Sequence, residues 1–237
     1  MHEPARISVI IPTLNEASTI DRTLRRVHQQ AEPFEIIVVD GGSEDETQAL
    51  ARSKGATVRQ APQGRATQMN RGAEDATGSI FLFLHADTLL PPHGLSTIRS
   101  ALDDPDTASG TFRLRFDNPT PLLRFYAWCT RWPWTRLCFG DRAQFAKRSA
   151  FEAVNGFPEW PIFEDLEFAA RLDDHGGFRF LDSAVTTSAR RFRRHGPLQQ
   201  QLRNLYLWSH YMWGADPKRV AHLYHAPAPD TERHSQS

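Results

Sequence analysis

The stretch IFLFLHADT, Ile80 to Thr88, sets an imidazole and a carboxylate two residues apart at the end of an apolar run. In an extended chain positions i and i+2 point the same way, so His85 and Asp87 share a face. Asp87 is a hard oxygen ligand suited to Mg2+ or Mn2+ bridging diphosphate oxygens. His85 suits a borderline ligand or a hydrogen-bond donor. The plainer alternative is a histidine satisfied by backbone and an aspartate capping the next turn. Asp40 ends a second apolar run, IIVVD, ahead of Gly41 and Gly42. A carboxylate there can accept from a base N–H or a ribose hydroxyl, over backbone that glycine leaves open, or it can simply form a turn. In FEDLEF, Glu164 and Asp165 open a helix, where acids suit the dipole and where one of them can serve as general base at a pocket rim. ARRFRRHG gathers Arg190, Arg191, Arg193 and Arg194 ahead of His195. It is either a solvated basic loop or a clamp for phosphates, since guanidinium binds phosphate through two parallel hydrogen bonds.

These residues need elements to position them. ISVIIP and FEIIVVD are β-branched runs, expected as strands buried on both faces. Between them, Ile20, Leu24 and Val27 recur at helical spacing. SEDETQALARSKG predicts a second helix, with Ser43 as N-cap, acids in its first turn and Gly55 as its stop. ATVRQ is a short strand, GRATQMNRGAEDATG a third helix and SIFLFLH a fourth strand. This strand–helix alternation predicts an α/β fold with a mostly parallel central sheet and flanking helices. Ligands bind such sheets outside the carboxyl ends of the strands, where the polar residues above lie. Further along, a helix is expected to open at Pro92. ASGTFRLRF alternates as a strand, and the stretch from Gly140 to Pro158 predicts a short strand and a helix ended by Gly156. A helix starts near Phe163, and LQQQLRNLYLWSHYMWG is a final long helix.

Composition narrows the classes. The 237 residues suit one α/β domain. Lys+Arg and Asp+Glu balance at 28 each, which argues against a nucleic-acid partner. The lone pair Cys129 and Cys138 makes no disulfide framework and favours a reducing compartment. No signal peptide is visible, and no run approaches the ~20 apolar residues of a spanning helix. A cytoplasmic protein is expected, with peripheral contact at the inner face of the cell membrane as an option. That option rests on PLLRFYAWCTRWPWTRLCF and NLYLWSHYMW, whose Trp, Tyr and Arg can sit at a membrane interface, line a lipid or carotenoid-like pocket, or pack the core. Weak attachment is expected from Trp128 to Phe139. The last residues, 227–237, read as a flexible tail.

The ordered motifs ISVIIPTLNEA, EIIVVDGGSEDET, GRATQMNRGAEDATGSIFLFLHADT and GDRAQFAKRSAFEAVNGFPEWPIFEDLEFAARL resemble those of family 2 glycosyltransferases, from about Ile7 to about Leu181. The resemblance implies a type A glycosyltransferase fold, a nucleotide-diphosphate sugar donor, a divalent metal (Mg2+ or Mn2+) and an inverting reaction. It implies a nucleotide-sugar-binding half at about 7–88 and an acceptor half at about 89–226. The acceptor is a hydroxyl of unspecified identity, with a lipid and a small metabolite both fitting. It also implies that Pro12, Thr13, Asn15, Glu16, Asp40 and Gly41 hold the nucleoside. Arg65, Asn70, His85, Ala86, Arg193 and Arg194 complete the donor contacts. Asp87 matches the last aspartate of the family's D-x-D metal motif, with His85 in place of the first. Glu164 and Asp165 match its E-D pair, with Asp165 as general base. Two rival classes stand beside this one. A sugar-nucleotide pyrophosphorylase would want a Gly-rich basic loop where PTLNEA stands, and a non-catalytic nucleotide-sugar sensor would not need Asp165.

Overall fold

The computed structural model describes residues 4–135, 140–190, 197–217 and 219–220. Strand β1 (Ile7–Thr13) is buried at every position. Helix α1 (Ala17–His28) buries Ile20, Leu24 and Val27, as their spacing predicts, together with Thr23. Strand β2 (Phe34–Asp40), helix α2 (Thr47–Ser53), strand β3 (Thr57–Gln60), helix α3 (Arg65–Asp75) and strand β4 (Ile80–Phe83) complete the alternating half. The second half carries β5 (Thr88–Leu89), α4 (Gly94–Leu102), β6 (Ser109–Phe116) and α5 (Pro121–Cys129). One 3-10 turn (Gly140–Arg142) leads into β7 (Gln144–Lys147), followed by α6 (Arg148–Ala153), α7 (Glu164–His175), β8 (Phe178–Thr187) and α8 (Pro197–Met212).

All eight strands form one sheet, in the order β3-β2-β1-β4-β7-β6-β8-β5. The β3-β2-β1-β4 portion is parallel, as the alternation predicts. β7 then enters antiparallel between β4 and β6, and β6 pairs with β8 in parallel. Helices cover both faces. One apolar cluster packs α1 and α4 against one face through Ile20, Leu24, Leu95 and Ile98. The other seats α3, α6 and α7 on a group of phenylalanines, with Phe157 and Phe168 stacked at 3.9 Å. β6 and β8 approach so closely at Gly110 that a Cβ there would lie 2.2 Å from the Arg179 carbonyl oxygen.

Three local expectations change. Ser43 does not cap α2; that helix starts at Thr47, whose N–H donates to Asp45 Oδ1 at 3.0 Å, and its first turn holds no acid. Buried Asp40 takes the Ser43 amide and hydroxyl instead. Gly55, at φ +76°, ends α2 as expected. Helix α4 opens not at Pro92 but after His93, which is left-handed. β8 was not expected, because its ten residues mix burial classes and show no clean alternation. No helix among the described residues is long and apolar enough to cross a membrane.

Candidate active site

The antiparallel seat of β7 decides what surrounds His85 and Asp87. Phe83 at the end of β4 faces Gln144 at the start of β7, so the residues just after β4 meet those just before β7. His85 Nδ1 accordingly lies 3.2 Å from Asp141 Oδ1. The turn is fixed from behind by Thr23, whose hydroxyl donates to the Ala86 carbonyl at 2.7 Å. Ala86 itself is buried. Arg190, three residues past β8, reaches back to this turn. Its Nη2 bonds both carboxylate oxygens of Glu16, which precedes α1, and lies 3.7 Å from Asp87 Oδ2. Burial pushes the Asp87 carboxyl above the ordinary carboxylate range, and the neighbouring charges of Asp141 and Glu16 push the same way. His85 and Arg190 oppose the shift without overcoming it. Arg190 is held more firmly in its charged form by the Glu16 hydrogen bond, against the effect of its own burial.

Glu164 and Asp165 occupy the first turn of α7 and are 3% and 7% exposed. Phe163 precedes them at φ 63°. Burial raises the Glu164 carboxyl, and Arg65, whose Nη1 lies 3.9 Å from Glu164 Oε1, works against the rise. Asp165 Oδ1 accepts from the Leu166 N–H at 2.8 Å, and the Asp165 carbonyl accepts from Gln144 Nε2 at 3.0 Å. Residues 141–144 therefore touch both groups of acids: Asp141 meets His85, and Gln144 meets Asp165. Non-glycine residues with positive φ, costly for a Cβ, border this region at Asn15, Ala143 and Phe163.

The residues expected around a nucleoside line the ends of β1 and β2. Pro12 lies within β1 opposite Val39. Asp40 is fully buried; its carboxylate accepts from the amides of Gly42 and Ser43, from the Thr13 and Ser43 hydroxyls and from Gln48 Nε2. Burial alone would raise its pKa, but the hydrogen bonds from Ser43, Gly42 and Thr13 hold it below the usual value. In this state Asp40 organises its own turn, and a ligand base would have to replace one of these donors. Asn15 ties the two loops together, its N–H donating to Ser43 Oγ at 2.8 Å and its Oδ1 accepting from Glu44 N at 2.9 Å. Gly41 is packed by the Gln68 amide, whereas Gly42, at φ +97°, borders open space and is the position where a ligand can approach the backbone. Asn70 is bonded through both ends of its amide to the Phe157 backbone, which places it on the α6–α7 connection rather than in the acid cluster.

Arg193 and Arg194 lie outside the described residues. Two contributors went unassigned in the sequence, and a third was named there only within a group. Asp141 looks there like an ordinary turn aspartate, and only the β4–β7 register brings it to His85. Gln68 bonds the Thr13 and Val39 carbonyls at 2.8 and 2.7 Å, joining the ends of β1 and β2 from inside α3. Arg190 was one of four arginines, and the placement of β8 selects it.

Carboxylate and imidazole groups of the types that take a divalent ion stand at this corner. Among the described residues no three His, Cys, Asp or Glu side chains enclose a metal position. The Asp141 charge nonetheless acts on Asp87 as a like charge, and the His85 imidazole lies 3.2 Å from Asp141. Mg2+ characteristically takes one or two carboxylates and completes its shell with water and substrate phosphates. Asp87 and Asp141, with His85 alongside, are the residues that would hold it.

A mostly parallel sheet with helices on both faces and its polar residues gathered beyond the strand ends defines the type A glycosyltransferase fold. Residues 8–157 match the family model Glycosyl transferase family 2, which is more than half of the chain, and the chain belongs to that family. Glycosyltransferase AglE of Haloferax volcanii is 29% identical over 176 residues, covering 68% of this chain and 54% of that protein, so the chain spans about half the length of this curated relative. Among solved structures, the mannosyltransferase PcManGT from Pyrobaculum calidifontis, in complex with GDP-Man and Mn2+, superposes with a TM-score of 0.65 at 22% identity, over 96% of this chain and 66% of that one. S. aureus TarS 1-349 in complex with UDP gives 0.64 at 19%, over 77% and 60%.

Proposed function

We propose that the chain transfers a sugar from a nucleotide-diphosphate donor to a hydroxyl acceptor with inversion, and that Asp165 is the general base. The observation that carries this reading is the β4–β7 junction. Within residues 141–144 the chain joins the acids suited to a donor diphosphate, Asp87 and Asp141, to the helix start that presents Asp165. The complexes of similar proteins with UDP and GDP-Man support a nucleotide-sugar donor. Residues 7–88 then form the donor half and 89–226 the acceptor half.

In the reaction an acceptor hydroxyl lies against Asp165. Its oxygen forms the new bond to the anomeric carbon as the bond to the diphosphate breaks on the opposite face, and its proton passes to the Asp165 carboxylate. Asp87 and Asp141 would hold a divalent metal, which would supply charge neutralisation for the departing diphosphate. Arg190 adds a second cation when it turns from Asp87 toward the phosphates, and Arg193 and Arg194 follow it in sequence. Buried Glu164, beside Arg65, fixes the α7 start that aims Asp165.

Asp165→Asn tests the reading. Nucleoside-diphosphate binding by calorimetry should persist, while transfer falls by roughly 10²–10⁴-fold. Transfer within a few-fold of wild type would remove Asp165 from the mechanism. Donor binding without turnover in the wild type would establish the sensor reading instead.

A further inference from the structure

Among the described residues, the most exposed aromatic side chains lie on α5 and α8 and in the turns that follow them. Phe125 is 60% exposed, Trp132 60%, Tyr206 52% and Trp213 85%; Trp128 and Trp134 are also exposed. They are ordered against one another. Phe125 and Trp128 stack at 5.9 Å, Trp128 meets Trp132 edge-on at 6.4 Å, and Trp134 meets Trp208 of α8 edge-on at 6.0 Å. A step of four places Arg124 and Trp128 on one side of α5, and Arg131 lies in the turn just after it. Arg124 and Arg131 are exposed and form no ion pair among the described residues. Neither 121–135 nor 197–215 contains an Asp or Glu. Among the described residues, Glu167 accepts from the Tyr211 hydroxyl and Asp173 from the Thr135 hydroxyl.

We propose that this α5–α8 face docks on the surface of an anionic lipid bilayer. Tryptophan and tyrosine combine an apolar ring with a polar edge and settle at headgroup depth. Unpaired arginines among them find phosphate partners there. A second copy of the chain fits less well. A two-fold pairing sets the same patch against itself, which would bring Arg124 and Arg131 against a surface without carboxylates in an overall neutral chain. The orientation also suits the site. Tyr126, on the inner side of α5, lies within the fields of Asp141 and Asp165, and Tyr211 of α8 packs on Phe163 at 5.0 Å. A docked molecule therefore holds the α7 start close to the bilayer surface.

The test needs no nucleotide sugar, so it succeeds or fails independently of the transfer reaction. The full chain is floated with vesicles of phosphatidylcholine alone and of phosphatidylcholine with an equal part of phosphatidylglycerol, at 50 and 500 mM salt. Binding to the anionic vesicles is expected, weakened at least about tenfold by high salt and accompanied by a blue shift of tryptophan emission. Arg124→Gln with Arg131→Gln should lower partitioning roughly 25-fold. Trp128→Ser with Trp132→Ser should abolish the blue shift. Unchanged near-ultraviolet circular dichroism in both double variants keeps the comparison valid. No binding to anionic vesicles at 50 mM salt overturns the proposal, as does equal binding to both vesicle types. So does a dimer in light scattering that Trp128→Ser dissolves, which would make this face a self-interface.

Discussion

Arg190 pairs with Glu16 and lies beside Asp87, and its removal should be felt first by a metal held at Asp87. Its guanidinium lies 3.7 Å from Asp87 Oδ2 while holding Glu16. Two unit charges at that separation interact by about 4 kcal/mol at the effective dielectric of a protein surface. Partial exposure of Arg190, loss of side-chain freedom and desolvation reduce the net value to roughly 1–2 kcal/mol. An incoming dication loses this amount when it displaces the guanidinium from Asp87. Arg190→Gln should therefore tighten Mn2+ binding to the nucleotide-free protein by roughly 5- to 30-fold. Arg190→Lys, which keeps the charge, should stay close to wild type. Titration of free Mn2+ by electron paramagnetic resonance at fixed ionic strength reads both. With nucleoside diphosphate present the same Gln variant should bind the nucleotide more weakly, because Arg190 then has phosphate to pair with. A nucleotide-free affinity unchanged or lowered in Arg190→Gln would show that the guanidinium organises the acids rather than competing for them.

Other outcomes follow from particular residues. Burial raises the Glu164 carboxyl above its unfolded value of 4.5, so the native state keeps that proton to higher pH than the unfolded chain does; its contribution is full below the unfolded value and is lost as pH rises through the folded one. Glu164→Gln should therefore gain stability over wild type progressively from pH 4.5 to 8, and parallel melting curves across that range would contradict the assignment. His85→Asp sets a third carboxylate against Asp141, where the His85 imidazole now lies 3.2 Å away; the variant should melt lower in EDTA and gain more from Mn2+ than wild type, and equal Mn2+ shifts would place His85 away from the metal. Gly110→Ala forces a Cβ toward the Arg179 carbonyl oxygen, which as backbone has little room to give; a loss of about 3 kcal/mol is expected, visible as a Tm lowered by roughly 6–12 °C.

The parallel half of the fold was legible because its signals are local. β1 and the second part of β2 are buried throughout, so their β-branched runs announce them, and α1 carries its apolar side at regular steps. β8 was not legible: Asp182 is almost fully exposed within it, Val185 is fully buried, and its pairing with β6 joins strands about 70 residues apart. The site divides in the same way. His85, Asp87, Glu164 and Asp165 stand at the ends of recognisable elements and could be named from spacing and resemblance. Asp141 could not, and Arg190 could not be told from the other arginines of its run, because their roles come from where β7 and β8 lie, and strand order is set by packing between distant segments. Ser43 shows the local version of this limit: its type suits a helix cap, but a buried aspartate three residues earlier competes for it and wins.

The ion pair between Arg190 and Glu16 joins positions 174 residues apart. Chains are made from the amino end, and earlier segments begin to fold while later ones are still being added. Glu16, Asp87 and Asp141 are thus synthesised before Arg190, and the charges of Glu16 and Asp141 oppose ionisation of Asp87. Until β8 is laid down, that corner is a centre of repulsion that a passing cation can relieve. Arg190 then closes it with a charge belonging to the chain itself. Ribosome-bound intermediates stalled before and after position 190 should accordingly differ in their affinity for divalent ions, and a proteolytic nick between β7 and β8 would return a finished molecule to the more cation-hungry condition of its own synthesis.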